Sequence, residues 1–187
     1  MTFAIAFLAG IASWSLLEYV IHRWLGHERR FVRRTMFGRE HTRHHSQGDY
    51  FASAWFKLVA AVVVLVLVGV PAIALAGVEA GSAYALGLVG FYTYYEWFHL
   101  SLHVREGVGT HGRWARRHHF HHHFGDPRRN FGVTSPIWDH VFGTYAAVTQ
   151  VFVPEKLAMR WLRDPSSGAF RAELAPTWVV RTRGGAS

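Results

Sequence analysis

From Leu58 to Ala76 the chain carries no charged side chain and is built almost wholly of Val, Leu and Ala. A helix that crosses a bilayer needs about 20 consecutive, mostly apolar residues, and this run meets that requirement by itself. Two flanking runs meet it with ionisable residues near one end. They are Phe3 to Ile21, which contains Glu18, and Ala83 to Leu102, interrupted by Glu96 and His99. Three membrane-spanning helices are therefore expected. The first run does not read as a cleaved signal peptide. No basic segment precedes it, and it runs on into Glu18, His22 and Arg23 instead of a small-residue cleavage site. Pro71 is expected to kink the middle span modestly, which membrane helices tolerate.

Charge orients the spans. Gly77 to Ser82, between the second and third runs, holds two glycines and no Lys or Arg, whereas Arg23 to Lys57 holds seven Arg and one Lys, and Arg105 to Arg129 holds six Arg. Basic segments stay on the cytoplasmic side. The amino terminus and the short loop are thus expected outside and the carboxyl terminus inside. A formal charge of +8 raises nucleic acid as a partner. The basic residues, such as Arg29, Arg30, Arg33 and Arg34, follow directly on a span and read instead as a surface facing lipid headgroups, so no nucleic-acid partner is expected. The absence of Cys excludes disulfide scaffolds, thiolate metal sites and cysteine nucleophiles.

The chain's 14 histidines are grouped. The groups are His22 and His27; His41, His44 and His45; His99 and His103; and His119, His122 and His123, with His111, His118, His121 and His140 beside them. The spans and their orientation, read without the histidines, gather every group at the cytoplasmic face. The spacing suits chelation. Residues four apart share a helical face, with Cβ atoms about 5–6 Å apart, so His99 and His103 can bind one ion or flank two. In "HTRHH" the first histidine lies three and four residues before the pair. The run "RHHFHHH" offers that spacing in two registers, His118/His121/His122 and His119/His122/His123, and spacing does not choose between them. His22 and His27 are five apart, which points them less directly together unless the backbone turns there. Neutral imidazole suits Fe, Zn, Cu and Ni, and ten such ligands exceed the needs of one ion, so two metals with about five ligands each are expected. Glu18 precedes His22 by four residues and Glu96 precedes His99 by three. Each is expected to share a face with its histidine and to accept an imidazole N–H. Tyr92, Tyr94, Tyr95 and Trp97 read as an interfacial aromatic belt, with substrate-channel lining as the alternative.

At these residues the chain resembles the fatty acid hydroxylase/sterol desaturase superfamily of membrane oxygenases. That family carries HX3–4H, HX2–3HH and a late HX2–3HH, with an HX3H between them in the lipid 2-hydroxylase branch. The segment "FGVTSPIWDHVFGTY", Phe131 to Tyr145, is similar to the family's motif after the last histidine box, especially in fatty acid and ceramide 2-hydroxylases. The resemblance covers roughly Leu16 to Tyr145. It selects the register His119/His122/His123 and implies His22, His27, His41, His44, His45, His99, His103, His119, His122 and His123 as metal ligands. It leaves His118 and His121 as bystanders. Tyr92, Tyr95 and Glu96 fall where the 2-hydroxylases have polar residues near the metals, and catalytic roles for Tyr95 and Glu96 follow from the resemblance, although the family often has Asp where Glu96 stands.

The implied fold is an all-α integral membrane protein of about three transmembrane helices with a cytoplasmic helical cap that carries a histidine-rich dimetal site. Residues 1–147 would form the membrane-embedded hydroxylase domain and residues 148–187 a cytoplasmic tail. The tail contains Pro154, Pro165 and Pro176 and a short interfacial helix over Ala158 to Leu162. The implied chemistry is hydroxylation of an unactivated lipid C–H bond, with 2-hydroxylation of a fatty acyl chain leading and sterol or carotenoid oxidation as the runner-up. It would use two Fe ions (Zn as a substitute in purified protein) and O2. Relatives often carry a fused cytochrome b5 domain that is missing from this sequence. Electrons are therefore expected from a separate cytochrome b5-like or ferredoxin-like carrier, drawn by the Arg-rich surface. No glycine loop for NAD(P)H is visible. A membrane metal transporter and a non-catalytic relative are the rival readings. Transporters place ligands along a path near the midplane, and here the middle span has none. Substrate identity and oligomeric state are not legible.

Overall fold

A computed structural model describes residues 2–182. Helix α1 (Thr2–Val20) runs on through a wider π-helical turn, Ile21–His27. After a short α2 (Arg29–Val32) comes α3 (Met36–Gln47), whose first turn is closed by the Thr35 hydroxyl accepting the Gly38 N–H at 3.0 Å. The Ser53 hydroxyl caps α4 (Ala54–Val64) by accepting the Phe56 N–H; such caps satisfy donors that the helix itself leaves unpaired. A π-helical stretch, Leu65–Gly69, then leads into α5 (Val70–Val104). Pro71 sits just after it. The wider winding accommodates a ring that would otherwise clash with the preceding turn.

Among the described residues two stretches are long and apolar enough to cross a membrane, Thr2–His27 with 26 residues and Ala54–Val104 with 51. The second does not run straight. Gly77 adopts φ 81° and ψ 169°, a conformation open to glycine and strained for other residues, and the chain doubles back there. Tyr92 then reaches the other arm, its hydroxyl donating to the Lys57 carbonyl at 2.9 Å. The loop expected over Gly77 to Ser82 thus shrinks to one non-helical residue. The returning arm of α5 lies parallel to α1. Contact is so close that a Cβ on Gly10 would sit 2.1 Å from the Tyr84 carbonyl oxygen, and one on Gly87 2.1 Å from that of Phe7. Small residues at a crossing permit this backbone approach in apolar helices. The outgoing arm leaves Leu58, Val59, Val62, Val63, Val66, Leu67 and Leu75 exposed, an apolar face far larger than a water-soluble surface ordinarily shows.

Helix α6 (Gly109–Phe124) packs across the end of α5. Its buried Arg116 donates to the carbonyls of Leu102 (2.9 Å), Glu106 (2.9 Å), Ser101 (3.3 Å) and Arg105. These include carbonyls that the last turn of a helix leaves without intrahelical partners. A loop leads to the short α7 (Ile137–Val141). The remainder corrects the all-α expectation. β1 (Val151–Pro154) and β2 (Trp178–Arg181) form a two-stranded parallel ribbon with Val151 opposite Trp178. The helix expected over Ala158 to Leu162 is instead a single 3-10 turn, Arg160–Leu162. β-branched and aromatic residues favour strand, and prolines interrupt helices in this segment. The segment's Val151, Val153, Met159, Trp161, Leu162 and Trp178 share one core with Phe120 of α6.

Candidate metal centre

The ten histidines singled out by spacing and resemblance converge around the carboxyl ends of α1 and α5. They form two groups of five: His22, His27, His41, His45 and His122; and His44, His99, His103, His119 and His123. Within each group the donor nitrogens all lie within 4.8 Å of one another. The groups abut, with the rings of His45 and His123 stacked at 4.0 Å.

The histidine boxes divide between the groups. His41 and His45, four apart on α3, face one group while His44 faces the other; on α6, His119 and His123 face the second group and His122 the first. His99 and His103 stay together. The five-residue gap between His22 and His27 is accommodated by the π-helical turn, whose wider winding brings residues five apart onto one side; their ring centroids are 5.4 Å apart.

Four imidazoles are oriented by backbone carbonyls. Nδ1 of His22 lies 2.5 Å from the Phe131 oxygen, and Nδ1 of His44, His103 and His122 each lies 2.7 Å from the oxygens of Tyr50, Gly48 and Arg129. A carbonyl only accepts, so the proton is on Nδ1 and the Nε2 lone pair points into the cluster. There His22 Nε2, His44 Nε2 and His45 Nε2 are buried without a partner. Other Nε2 atoms face one another: His27 is 2.8 Å from both His41 and His122, and His119 is 3.0 Å from His99 and 2.9 Å from His103. A single imidazole nitrogen carries at most one proton, so neutral rings do not satisfy both contacts. A cation does. Metal–nitrogen bonds of about 2.1 Å at right angles place neighbouring donors about 3 Å apart, the spacing seen. Burial holds His41, His45, His119, His122 and His123 well below the usual histidine range, and His44 at about 4. The rings are therefore neutral at pH 7, the form that binds metal.

The carboxylates act differently from expectation. Glu18 does not receive the His22 N–H. It accepts the backbone N–H groups of Val133 and Thr134 and the Thr134 hydroxyl, all at 2.9 Å. Asp139 accepts the next two N–H groups upstream, Phe131 and Gly132, at 2.8 Å, together with the Thr144 hydroxyl at 2.7 Å, and its second oxygen meets His118 Nε2 at 3.0 Å. Two buried carboxylates thus hold four consecutive N–H groups of the loop whose Phe131 carbonyl orients His22. The cause is topological. This loop, remote in sequence, lies between Glu18 and the histidine. Sequence reasoning gave Asp139 no role; its position in "SPIWDH", an acid beside His in an apolar segment, was the available signal. Glu96 likewise turns from His99 and pairs with Lys57 at 2.6 Å.

Outside the two groups, His118 serves Asp139, His111 lies 3.1 Å from the Thr134 carbonyl, and His140 stacks on Tyr145 at 4.0 Å. His121 is half-buried on α6 and belongs to neither group. The aromatic residues of α5 divide. Tyr94 and Trp97 face outward, whereas Tyr92 and Tyr95 line a cavity of about 130 Å³ between α1, α3 and the hairpin. His41, His44 and His99 form one wall of this cavity; Trp14, Phe51, Phe56, Ala60 and Val64 form its apolar part, and Glu18, Glu40, Lys57 and Glu96 complete it. It therefore touches both histidine groups. The Tyr95 ring is 5.7 Å from that of His99.

Comparisons with known proteins give the chain's family. The model of the fatty acid hydroxylase family matches residues 7–144. A dihydroceramide fatty acyl 2-hydroxylase of Arabidopsis thaliana is 28% identical over 141 residues, covering 74% of this chain and 60% of that protein. A ceramide very long chain fatty acid hydroxylase of Saccharomyces cerevisiae is 30% identical over 145 residues, covering 74% of this chain and 37% of that protein. Among solved structures, full-length scs7p, with only its hydroxylase domain visible, matches with a TM-score of 0.60 and 25% identity, covering 78% of this chain and 56% of that chain. The chain spans less than two thirds of the length of these relatives.

Proposed function

The chain belongs to the fatty acid hydroxylase family, and from that premise we propose that it is a membrane-bound oxygenase that 2-hydroxylates the fatty acyl chain of a lipid. The observation that carries the reading is the pair of five-histidine groups, with lone pairs turned inward, on the wall of an apolar cavity. His22, His27, His41, His45 and His122 would hold one iron ion, and His44, His99, His103, His119 and His123 the other. Zinc, with the same preference for imidazole, is the expected substitute in purified protein. Bound iron would supply O2 activation and the hydroxylation of an unactivated C–H bond, with O2 and a reductant as co-reactants.

The protein supplies position and exclusion of water. The carbonyls of Phe131, Tyr50, Gly48 and Arg129 fix the tautomers of four ligands. Phe51, Phe56, Ala60 and Val64 give an acyl chain an apolar path to the histidine wall, and Tyr95 closes that path beside His99. In this reading α1 and the two arms of the hairpin make three spans, with the basic segments and the metal centre on the cytoplasmic side. Arg29, Arg30, Arg33, Arg34 and Arg39 are exposed. They offer an acidic electron carrier a complementary surface.

The test is metal content and lipid products of detergent-purified protein from iron-supplemented cells. Two metals per chain and 2-hydroxylated acyl lipids dependent on reductant support the reading. A well-folded chain that binds two metals and oxygenates no lipid would sink it.

A further inference from the structure

We propose that Lys57 is the anchor for the acyl carbonyl oxygen and so fixes which carbon meets the metal centre; this rests on reading the site as a lipid 2-hydroxylase. A lysine at a membrane edge ordinarily extends its ammonium toward water. Lys57 turns inward instead. Its ammonium is 2.6 Å from Glu96, and the two side chains are only 24% and 25% exposed. Among the described residues it is the only Lys or Arg on the cavity wall. Its nitrogen lies 5.2 Å from the centre of the Phe51 ring, and that ring is 4.8 Å from His44 and 5.3 Å from His99. The cation is thus one aromatic ring away from the second histidine group. Its own backbone is pinned, because the Lys57 carbonyl accepts the Tyr92 hydroxyl.

The chemistry of the substrate makes that position consequential. An acyl chain offers methylenes along its whole length, and its carbonyl is the polar handle nearest the reacting end. Carbon 2 is bonded directly to the carbonyl carbon, so a hold on the carbonyl oxygen leaves carbon 2 little freedom. An ammonium has three donors and no acceptor. One serves Glu96, and the others remain for a carbonyl. The neighbouring wall is built for the remainder of the chain, since Phe56, Ala60 and Val64 recur every four residues along one side of the hairpin's outgoing arm. Orientation at a reacting centre commonly comes from such a hold on a non-reacting group.

The test uses the full chain with iron and reductant in lipid vesicles, and dihydroceramide as the probe. In Lys57→Met that retains two metals, KM should rise about 10- to 100-fold, and hydroxyl groups should appear at carbon 3 and beyond as well as at carbon 2. Lys57→Arg should recover most of the KM. A probe in which the acyl carbonyl is reduced to methylene should lose carbon-2 selectivity in the wild type, and with it Lys57→Met should behave as the wild type does. A merely structural ion pair would not give that non-additivity. Unchanged KM and exclusive carbon-2 product in Lys57→Met would overturn the proposal. So would retained selectivity of the wild type on the carbonyl-free probe, a result that does not depend on the variant folding. Wild type that oxygenates no lipid overturns the underlying reading; wild type that 2-hydroxylates beside an indistinguishable variant overturns the Lys57 assignment alone.

Discussion

The two histidine groups have the same donors and different supports. The first hangs on irregular backbone: a π-helical turn carries His22 and His27, and the loop behind them is clamped by Glu18 and Asp139. The second stands on straight helix. His99 and His103 project from the end of α5, where Arg116 holds the carbonyls, and the Trp161 indole donates to the His103 carbonyl at 3.1 Å. One centre therefore depends on buried charge meeting backbone N–H groups, the other on helix geometry braced by the carboxyl-terminal segment.

That contrast is open to test. The largest effect should come from His122→Ala and His44→Ala. Each is expected to empty its own group first, dropping metal content from two per chain toward one and abolishing lipid hydroxylation; metal analysis beside product assays would show it. Next is Asp139→Asn, which leaves one amide oxygen where two carboxylate oxygens serve two backbone N–H groups, a hydroxyl and His118. Partners behind a ligand typically govern about 10- to 100-fold in metal affinity. Competition with a chelator should show that loss for one of the two metals only. Loss from both at equal affinity would erase the distinction between the groups. Trp161→Phe keeps the aromatic packing and deletes one hydrogen bond, so thermal unfolding in detergent should show a cost of about 1 kcal/mol, with weaker binding confined to the other metal. Smallest is Tyr92→Phe, which frees the Lys57 carbonyl. A loss of no more than about 1 kcal/mol with both metals retained is expected from the same melts.

Much of this was legible in the residues. The apolar runs gave the long helices, and spacing together with the family resemblance picked out histidines that do converge. The division of the His41/His44/His45 and His119/His122/His123 boxes between two groups was not legible, because spacing reports a shared helical face and says nothing of what flanks that face on either side. The π-helical turn was hidden for a related reason: a gap of five fits no α-helical face, and the winding that rescues it is set by packing. The roles of Glu18 and Glu96 were misread because proximity in sequence was taken for proximity in space. Glu18 instead meets Thr134, and Glu96 meets Lys57 from the opposite arm of the hairpin. The parallel ribbon at the carboxyl end depends on strands separated by some twenty residues of turns, a pairing that local pattern does not announce.

The interlacing of the histidine boxes also sets a length. Because α3 and α6 each send histidines to both groups, the interval between the groups is fixed by helical pitch, about 1.5 Å of rise and 100° of rotation per residue, instead of by the softer packing of one helix on another. The protein contains a ruler marked twice, once along each of these two helices. Substitutions on α1 or the hairpin that lie away from His22, His27, His99 and His103 can widen or narrow the cavity while the two groups keep their separation, so what the site admits is set apart from the spacing of the site.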